Sequence, residues 1–577
     1  MTKEKTMTGY ASIDKPWLKY YSEEALKAEV PKCTVYEYLL ECNKDAKKDT
    51  AMSYFDNRIS YEEMFYIIEK AAKAFTAIGV KKGDIVVLAT VTTPETIYAF
   101  YALNYIGAVS NMVDPRTSVE GIREYIEEVK ASVVITIDVA YPKIAKAITG
   151  TGVTHVIVTS PADSLPRVKK ALFRLVNRQK GNAALELAEC LKWNDFIIGG
   201  KETALYRSVY VENTCCVIVH TGGTTGTPKG VMLSNENMNA MAVQYALMGV
   251  EFNRKQNFLN IMPPFIAYGV VLGIHMPLCL GLTDVLIPQL DPEKFPDLII
   301  KYRPAHLAGV PTHYDKLRTS KKMRNKDLSY FETSGAGGDG MTAQFEEDIN
   351  EFFQAHNCRY KIAKGYGMTE ISSAASTCRG MMNKFQSVGI PHLFTTISVF
   401  EPGTDRELKA GESGEICMSA PTVMLGYYNQ KEETEKVLMR HSDGKLWIHS
   451  NDIGHMDEDG FLFVEGRIKR LIIRHDGFKV FPSLIENVIS SHDAVSLCCA
   501  VGMPDAEHSQ GKLPIVHIVL KEEYVGKKNL IEKQLLELCL RELPEYAQPA
   551  EFVFQEKLPL TPIGKIDYRA LEKMEEE

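Results

Sequence analysis

His220-Thr221-Gly222-Gly223-Thr224-Thr225-Gly226-Thr227-Pro228-Lys229-Gly230 is the stretch from which the rest of the chain can be read. It follows Cys215-Cys216-Val217-Ile218-Val219, a short apolar run rich in β-branched residues that reads as a buried strand. It precedes Val231-Met232-Leu233-Ser234 and a long segment from Asn235 with the pattern of a helix capped at Ser234. Glycine lets backbone approach a ligand closely. Exposed amides and threonine hydroxyls then bind phosphate oxygens, and Lys229 adds a cation. A plain Gly/Thr surface loop would leave the strand, lysine and helix around it unexplained. Thr221, Gly222, Gly223, Thr224, Thr225, Gly226 and Lys229 are therefore the expected phosphate-binding residues. A Walker A loop is excluded, because Pro228 precedes Lys229 where that motif needs Gly-Lys-Ser/Thr.

Thr221 to Gly230 resembles Thr-Ser-Gly-Thr-Thr-Gly-x-Pro-Lys-Gly, the signature of the adenylate-forming superfamily of acyl-CoA synthetases, peptide-synthetase adenylation domains and luciferases. It departs at Gly222, where serine is usual. Gly365-Tyr366-Gly367-Met368-Thr369-Glu370 matches the superfamily's Tyr-Gly-x-Thr-Glu. By residue type, Tyr366 offers an aromatic face for adenine, Thr369 a hydroxyl for the α-phosphate and Glu370 a hard oxygen ligand for Mg²⁺.

The remaining matches fall in superfamily order. Ser334-Gly335-Ala336-Gly337-Gly338-Asp339-Gly340 fits Gly-x-Gly-x-x-Gly, so a Rossmann dinucleotide site is weighed. That fingerprint normally opens a domain, and this one sits deep in the chain. The resemblance instead implies an adenine-packing turn at Gly335, Ala336 and Gly337. Residues 260–269 stand where relatives have Pro-Leu-Phe-His-x-x-Gly, which implies an acyl pocket at Ile266 and Tyr268. No aspartate lies between Asn260 and Leu280 to hold an α-ammonium, which argues against amino-acid substrates. Trp447 to Gly454 resembles a Thr-Gly-Asp segment of which Asp452 is kept and Ser450 and Asn451 differ. Gly466-Arg467-Ile468-Lys469 resembles Gly-Arg-x-Asp/Lys, which implies ribose contacts from Asp452 and Arg467 and a hinge at Lys469. Gly477 falls at the thiol channel, and Pro559 to Asp567 resembles the terminal motif that carries a catalytic lysine, here Lys565.

A chain of 577 residues is too long for one core. Strand and helix patterns alternate from residue 61, which predicts layered α/β architecture with largely parallel sheets. The expected fold class is α/β: a large N-terminal domain of layered α/β subdomains over 1–469, then a small mobile α+β C-terminal domain over 470–577. Residues 160–200 read as an insertion. Within it, 167–180 has helical apolar spacing and only positive charges, so it reads either as a solvated basic face or as weak peripheral contact with an anionic membrane. The net charge of −8 gives no reason to expect nucleic acid. No signal peptide or long apolar span is present, and the 12 cysteines are scattered, so a cytoplasmic location is expected.

The resemblance implies ATP, Mg²⁺ and CoA as cofactors and a fatty or other hydrophobic carboxylic acid as substrate. The leading expectation is an AMP-forming acyl-CoA ligase, with Lys565, Thr369 and Glu370 as the catalytic residues. Two alternatives stand beside it: a ligase that loads a carrier-protein thiol, and a nucleotide- or acyl-AMP-binding module with weak catalysis. Sequence gives neither acyl length nor oligomeric state.

Overall fold

Two large α/β sheets pack around a helix that is buried on every side. A computed structural model describes residues 7–166, 168–170, 190–221, 228–505, 507–508, 510–560 and 566–576. The first sheet has eight strands, and its centre is Cys215–His220 beside Val109–Val113 and Ile85–Ala89, all parallel. The second has nine, and His306–Gly309, Thr333–Ala336 and Ala363–Tyr366 lie parallel side by side within it. Helix Pro94–Ile106 has every residue buried, and it shares one hydrophobic core with strands of both sheets. A helix buried on every side in this way belongs between layers rather than on a surface. A third, antiparallel sheet includes Gly414–Ser419, Leu446–Met456 and Leu462–Arg467. Beyond it, Val495–Pro504, Lys512–Leu520 and Glu551–Phe554 form a small sheet that helices Pro482–Ser490 and Lys528–Glu542 cover with a core of their own. The molecule thus has a large N-terminal and a smaller C-terminal domain, as expected.

One expectation changes and two features are added. Between the glycine loop and the expected helix stands a strand. Gly230–Ser234 first returns antiparallel to Cys215–His220, with His220 opposite Gly230, so the loop joins two strands. Only then does helix Asn235–Ala246 begin, with Ser234 accepting from the Asn237 amide at 3.2 Å and Asn237 accepting from the Ser234 amide at 2.8 Å. This reciprocal cap uses asparagine where glutamate is commoner. Second, the expected insertion does not extend to residue 200. Leu191–Lys192 adds to the first sheet beside His155–Thr159, and Trp193 and Phe196 of the following helix are buried, Phe196 against Phe75 with ring centroids 4.9 Å apart. The basic segment 167–180 lies outside the described residues apart from 168–170. Third, residues 1–60 hold regular elements of their own. Helix Val35–Asn43 starts at a Thr34/Glu37 capping box, and Thr50–Tyr54 pairs with Thr283–Leu286 at the edge of the second sheet.

Tyr268–His275 forms a π-helix. Such turns are rare and recur at functional sites. Glycine is required just inside it, because a Cβ on Gly269 would stand 1.7 Å from the Pro263 carbonyl oxygen. Among the described residues, no helix is long and apolar enough to cross a membrane.

Candidate active site

The strand pair that carries the glycine loop is closed at its mouth by two hydrogen bonds. The Thr221 amide donates to the Lys229 carbonyl at 3.0 Å, and the Lys229 amide donates to the Thr221 hydroxyl at 3.1 Å. Gly222 to Gly226 lie outside the described residues. The Lys229 ammonium pairs with Glu433 and stands 4.7 Å above the Tyr427 ring. Lys229 and Lys436 together hold the Glu433 carboxyl well below the usual glutamate range.

Tyr427 joins this loop to the second motif. Its hydroxyl donates to Glu370 Oε1 at 2.7 Å. Glu370 is 7% exposed. Burial raises its pKa, opposed by the Tyr427 hydroxyl, by its own amide and by the charges of Arg467 and Lys229. Thr369 and Glu370 sit in a short 3₁₀ turn, Thr369–Ile371, held against the chain that follows. A Cβ on Gly367 would meet the Ser373 carbonyl oxygen at 2.0 Å, so only glycine allows that approach.

Leu446–Met456 and Leu462–Arg467 run antiparallel with Asp452 opposite Arg467. Arg467 Nε donates to Asp452 Oδ1 at 3.0 Å, and the Tyr366 hydroxyl donates to Asp452 Oδ2 at 2.7 Å. Asp452 is buried, which raises its pKa against the pull of Arg467 and Tyr366. The two residues that depart from the expected pattern support this carboxylate. Asn451 has φ +59°, a left-handed conformation that asparagine tolerates better than most side chains. The Ser450 hydroxyl donates to the Ile416 carbonyl at 2.7 Å and accepts from the Asp452 amide at 3.0 Å.

Gly335 and Ala336 end strand Thr333–Ala336, and the Gly337 amide donates to the Gly309 carbonyl at 3.1 Å. The Tyr268 hydroxyl donates to that same carbonyl at 3.1 Å. The segment assigned to adenine and the one assigned to the acyl group are therefore adjacent. Ile266 packs between the two largest hydrophobic clusters.

The described residues of the expected site, from Thr221 and Lys229 through Tyr366, Glu370 and Asp452 to Arg467 and Lys469, line one cavity of ≈ 3130 Å³, as does Tyr427. This exceeds the ~300–1,000 Å³ of a site for one small ligand and leaves room for more than a nucleotide. Lys565 lies outside the described residues, but Ile566 and Asp567 immediately after it line the cavity. Gly477 does not line it. With φ +83°, Gly477 occupies a turn between Ile472–Ile473 and Lys479–Val480, beside Phe478, whose ring stacks on Tyr546 at 4.8 Å. Sequence reading missed Tyr427 and Glu433. Gly426-Tyr427-Tyr428 followed by the charged run 431–436 was the available signal, but neither periodicity nor motif set it apart.

A family profile described as AMP-binding enzyme matches residues 40–428, and one described as AMP-binding enzyme C-terminal domain matches 484–565. Over 574 residues the chain is 28% identical to the long-chain-fatty-acid–CoA ligase of Bacillus subtilis (strain 168), with 98% of each chain covered. It is 28% identical over 504 residues to the probable 4-coumarate–CoA ligase 1 of Dictyostelium discoideum, covering 86% of this chain and 87% of that one. The fold is similar to that of ATP-bound MatB from Rhodopseudomonas palustris, with a TM-score of 0.79 at 21% identity over 93% of this chain and 98% of the other.

Proposed function

This chain is a member of the AMP-binding enzyme family, and from that premise we propose that it is an AMP-forming acyl-CoA ligase acting on a fatty or similarly hydrophobic carboxylic acid. One observation carries the reading: buried carboxylates Glu370 and Asp452 and an apolar wall that includes Met248, Val250, Phe252 and Ile266 line the same cavity. A polar end suited to a nucleotide and an apolar end suited to an acyl chain thus meet in one space.

In this reading the acid needs no general base, because a carboxylic acid is already ionised at neutral pH. One carboxylate oxygen attacks the α-phosphorus of ATP, the bond to pyrophosphate breaks, and acyl-AMP results. The CoA sulfur, as thiolate, then attacks the acyl carbon, and AMP leaves with the electron pair of the broken bond. The obstacle in the first step is the approach of two anions, so placed cations and amides do most of the catalysis. Thr221 to Gly226 hold the β- and γ-phosphates, and Lys229 exchanges Glu433 for phosphate. Thr369 donates to the α-phosphate, and the Lys565 ammonium bridges it and the incoming carboxylate. Tyr366, Gly367 and the turn at Gly335, Ala336 and Gly337 receive adenine, while Asp452 accepts from the ribose hydroxyls beside Arg467.

Glu370 suits Mg²⁺: it is a hard oxygen donor, buried, with one oxygen fixed by Tyr427 and no ion-pair partner among the described residues. When bound there, the ion supplies charge neutralisation at the phosphates. For the second step the C-terminal domain, from residue 470 onward, turns about Lys469 and carries Gly477 to the thiol channel.

The test is carboxylate-dependent ATP–pyrophosphate exchange over short, medium, long and aromatic acids, followed by addition of CoA. Exchange with one class and a thioester with CoA is the expected result. Exchange without a thioester would redirect the acceptor to a carrier-protein thiol. Absence of exchange with every acid would refute the ligase reading in favour of a nucleotide- or acyl-AMP-binding module.

A further inference from the structure

Among the charged side chains that line the cavity and that the proposed chemistry leaves unused, Arg379 is among the most deeply buried. Arg379 is 2% exposed; none of its three guanidinium nitrogens is in hydrogen-bond geometry among the described residues, and the Tyr21 side chain beside it is what favours its charge against burial. Its guanidinium carbon lies 4.1 Å from the centroid of the Tyr21 ring. The Tyr21 hydroxyl donates its own proton to the Pro391 carbonyl at 2.8 Å. A guanidinium remains charged at every physiological pH, and an isolated buried charge is among the costliest features a fold can keep. Stacking on an aromatic face offsets only part of that cost.

The surroundings indicate what would complete the site. His392 stands close enough for the charge of Arg379 to be felt, and burial together with that charge keeps its imidazole neutral. His392 Nε2 lies 2.8 Å from the Thr377 hydroxyl, and its Nδ1 is buried without a partner. Its ring meets Tyr245 edge-on at 5.4 Å, and Tyr245 lies 6.4 Å from Phe252. Arg379, Thr377, Tyr245 and Phe252 all line the cavity, so this polar corner adjoins the apolar wall assigned to the acyl chain.

Strand register places the corner away from the reacting end. Thr377 pairs antiparallel with Gly365, and the Cys378 amide donates to the Lys364 carbonyl, so Arg379 falls level with the start of strand Ala363–Tyr366. Thr369 and Glu370 follow the other end of that strand, roughly 10 Å along it at ~3.3 Å per residue.

We propose that Arg379, with Thr377, receives a second carboxylate or comparably strong hydrogen-bond acceptor at the far end of the acyl substrate, so that the preferred members of the hydrophobic acids proposed above are those that carry such a group at the ω end, α,ω-dicarboxylates first among them. The inference rests on the ligase reading and names its substrate class. A planar guanidinium is the side chain best matched to a carboxylate.

The experiment compares kcat/KM in ATP–pyrophosphate exchange for a length series of straight-chain monocarboxylates and the matching α,ω-dicarboxylates, in the full-length protein and in Arg379→Leu and Arg379→Lys. At the best length the wild type should favour the diacid, and Arg379→Leu should lower the diacid-to-monoacid ratio about 10- to 100-fold, the range of a charge-assisted hydrogen bond. Arg379→Lys should recover part of that ratio. Thermal unfolding separates this from a structural role: removing an unpaired buried charge leaves the ligand-free Tm unchanged or higher, whereas loss of a structural contact lowers it. Should Arg379→Leu fail to fold, wild-type thermal stabilisation by diacids over monoacids carries the same comparison. Preference for monoacids at every length, or an unchanged ratio in Arg379→Leu, overturns the proposal and leaves the ligase reading intact. Absence of exchange with every acid overturns both.

Discussion

Replacing Tyr427 by phenylalanine isolates one hydroxyl at the junction of the two nucleotide-binding motifs. The phenyl ring keeps the face that Lys229 occupies at 4.7 Å, so the cation–π contact survives. What is lost is the 2.7 Å hydrogen bond to Glu370 Oε1. Glu370 is 7% exposed, so water does not readily replace the donor. A hydrogen bond to a buried carboxylate is worth about 1.5–3 kcal/mol, which corresponds to a displacement of about 1–2 pH units in a titration that reports it. Burial already raises the Glu370 pKa, and Tyr427 is the largest influence opposing that rise, so the variant moves it further up. The acid limb of the exchange rate against pH should therefore move to higher pH by about 1–2 units, with rates converging on wild type in alkali. Stability changes in the matching sense. A carboxyl whose pKa is higher folded than unfolded costs stability as pH rises from the unfolded value through the folded one. Urea unfolding should thus show little difference at low pH and a loss of about 1.5–3 kcal/mol above the folded pKa. An acid limb that stays in place while stability falls equally at all pH values would refute the coupling of Tyr427 to Glu370.

Asp452→Asn removes the charge that pairs with Arg467 while keeping the shape that meets Tyr366. With Arg467 half exposed, about 1–3 kcal/mol of nucleotide affinity should go, read as a rise of roughly 5- to 150-fold in the Kd for ATP by calorimetry; wild-type affinity would remove the ribose role. Lys565→Ala should abolish adenylation while ATP still binds, and undiminished exchange would sink the assignment of that lysine. Gly367→Ala drives a methyl to 2.0 Å from the Ser373 carbonyl oxygen and must displace the Thr369–Ile371 turn, so kcat should fall at least tenfold with a lowered Tm. Asn451→Val should cost about 1–3 kcal/mol of stability because a β-branched side chain resists φ +59°, whereas Asn451→Gly should be close to neutral.

Sequence reading succeeded where chemistry is local. The strand at Cys215–His220 and the cap at Ser234 follow from a β-branched run and a capping serine. It failed where partners come from far along the chain. Gly230–Ser234 looks like a lead-in to a helix until Gly426–Tyr427 is seen to pair with it and Tyr428 to donate to the Gly230 carbonyl at 2.7 Å. Strand Thr50–Tyr54, next to the edge of its sheet, finds one of its two partners more than 200 residues later, at Asp284 and Val285. Asp452, Arg467 and Glu370 were legible as residue types at motif spacing. Their convergence through Tyr366 and Tyr427 was not, because hydrogen bonds across 86 and 57 residues leave no periodic trace.

The departures from the adenylate-forming pattern bear on whether this site works or merely binds. A motif position constrains either a contact or a backbone shape, and the two tolerate change differently. At 451 the requirement is shape: the backbone is left-handed, and asparagine meets it at small cost while its amide donates to Glu415 Oε1 at 3.1 Å. Glu415 in turn accepts from His449 at 2.9 Å, and His449 is within 2.9 Å of His441, so the strand that presents Asp452 is braced through buried polar partners. At 450 the requirement is a hydroxyl, and serine supplies it. At 266 isoleucine replaces an imidazole within an apolar contact zone, which alters the pocket and touches neither Glu370 nor Asp452. Burying carboxylates at 370 and 452 is costly, which suits groups that act on a ligand, and at 450 and 451 the replacements fill the roles the positions need. The changes at 266, 450 and 451 therefore retune the setting of the site and keep its charged centre, which is the pattern expected of a ligase whose acyl specificity has moved.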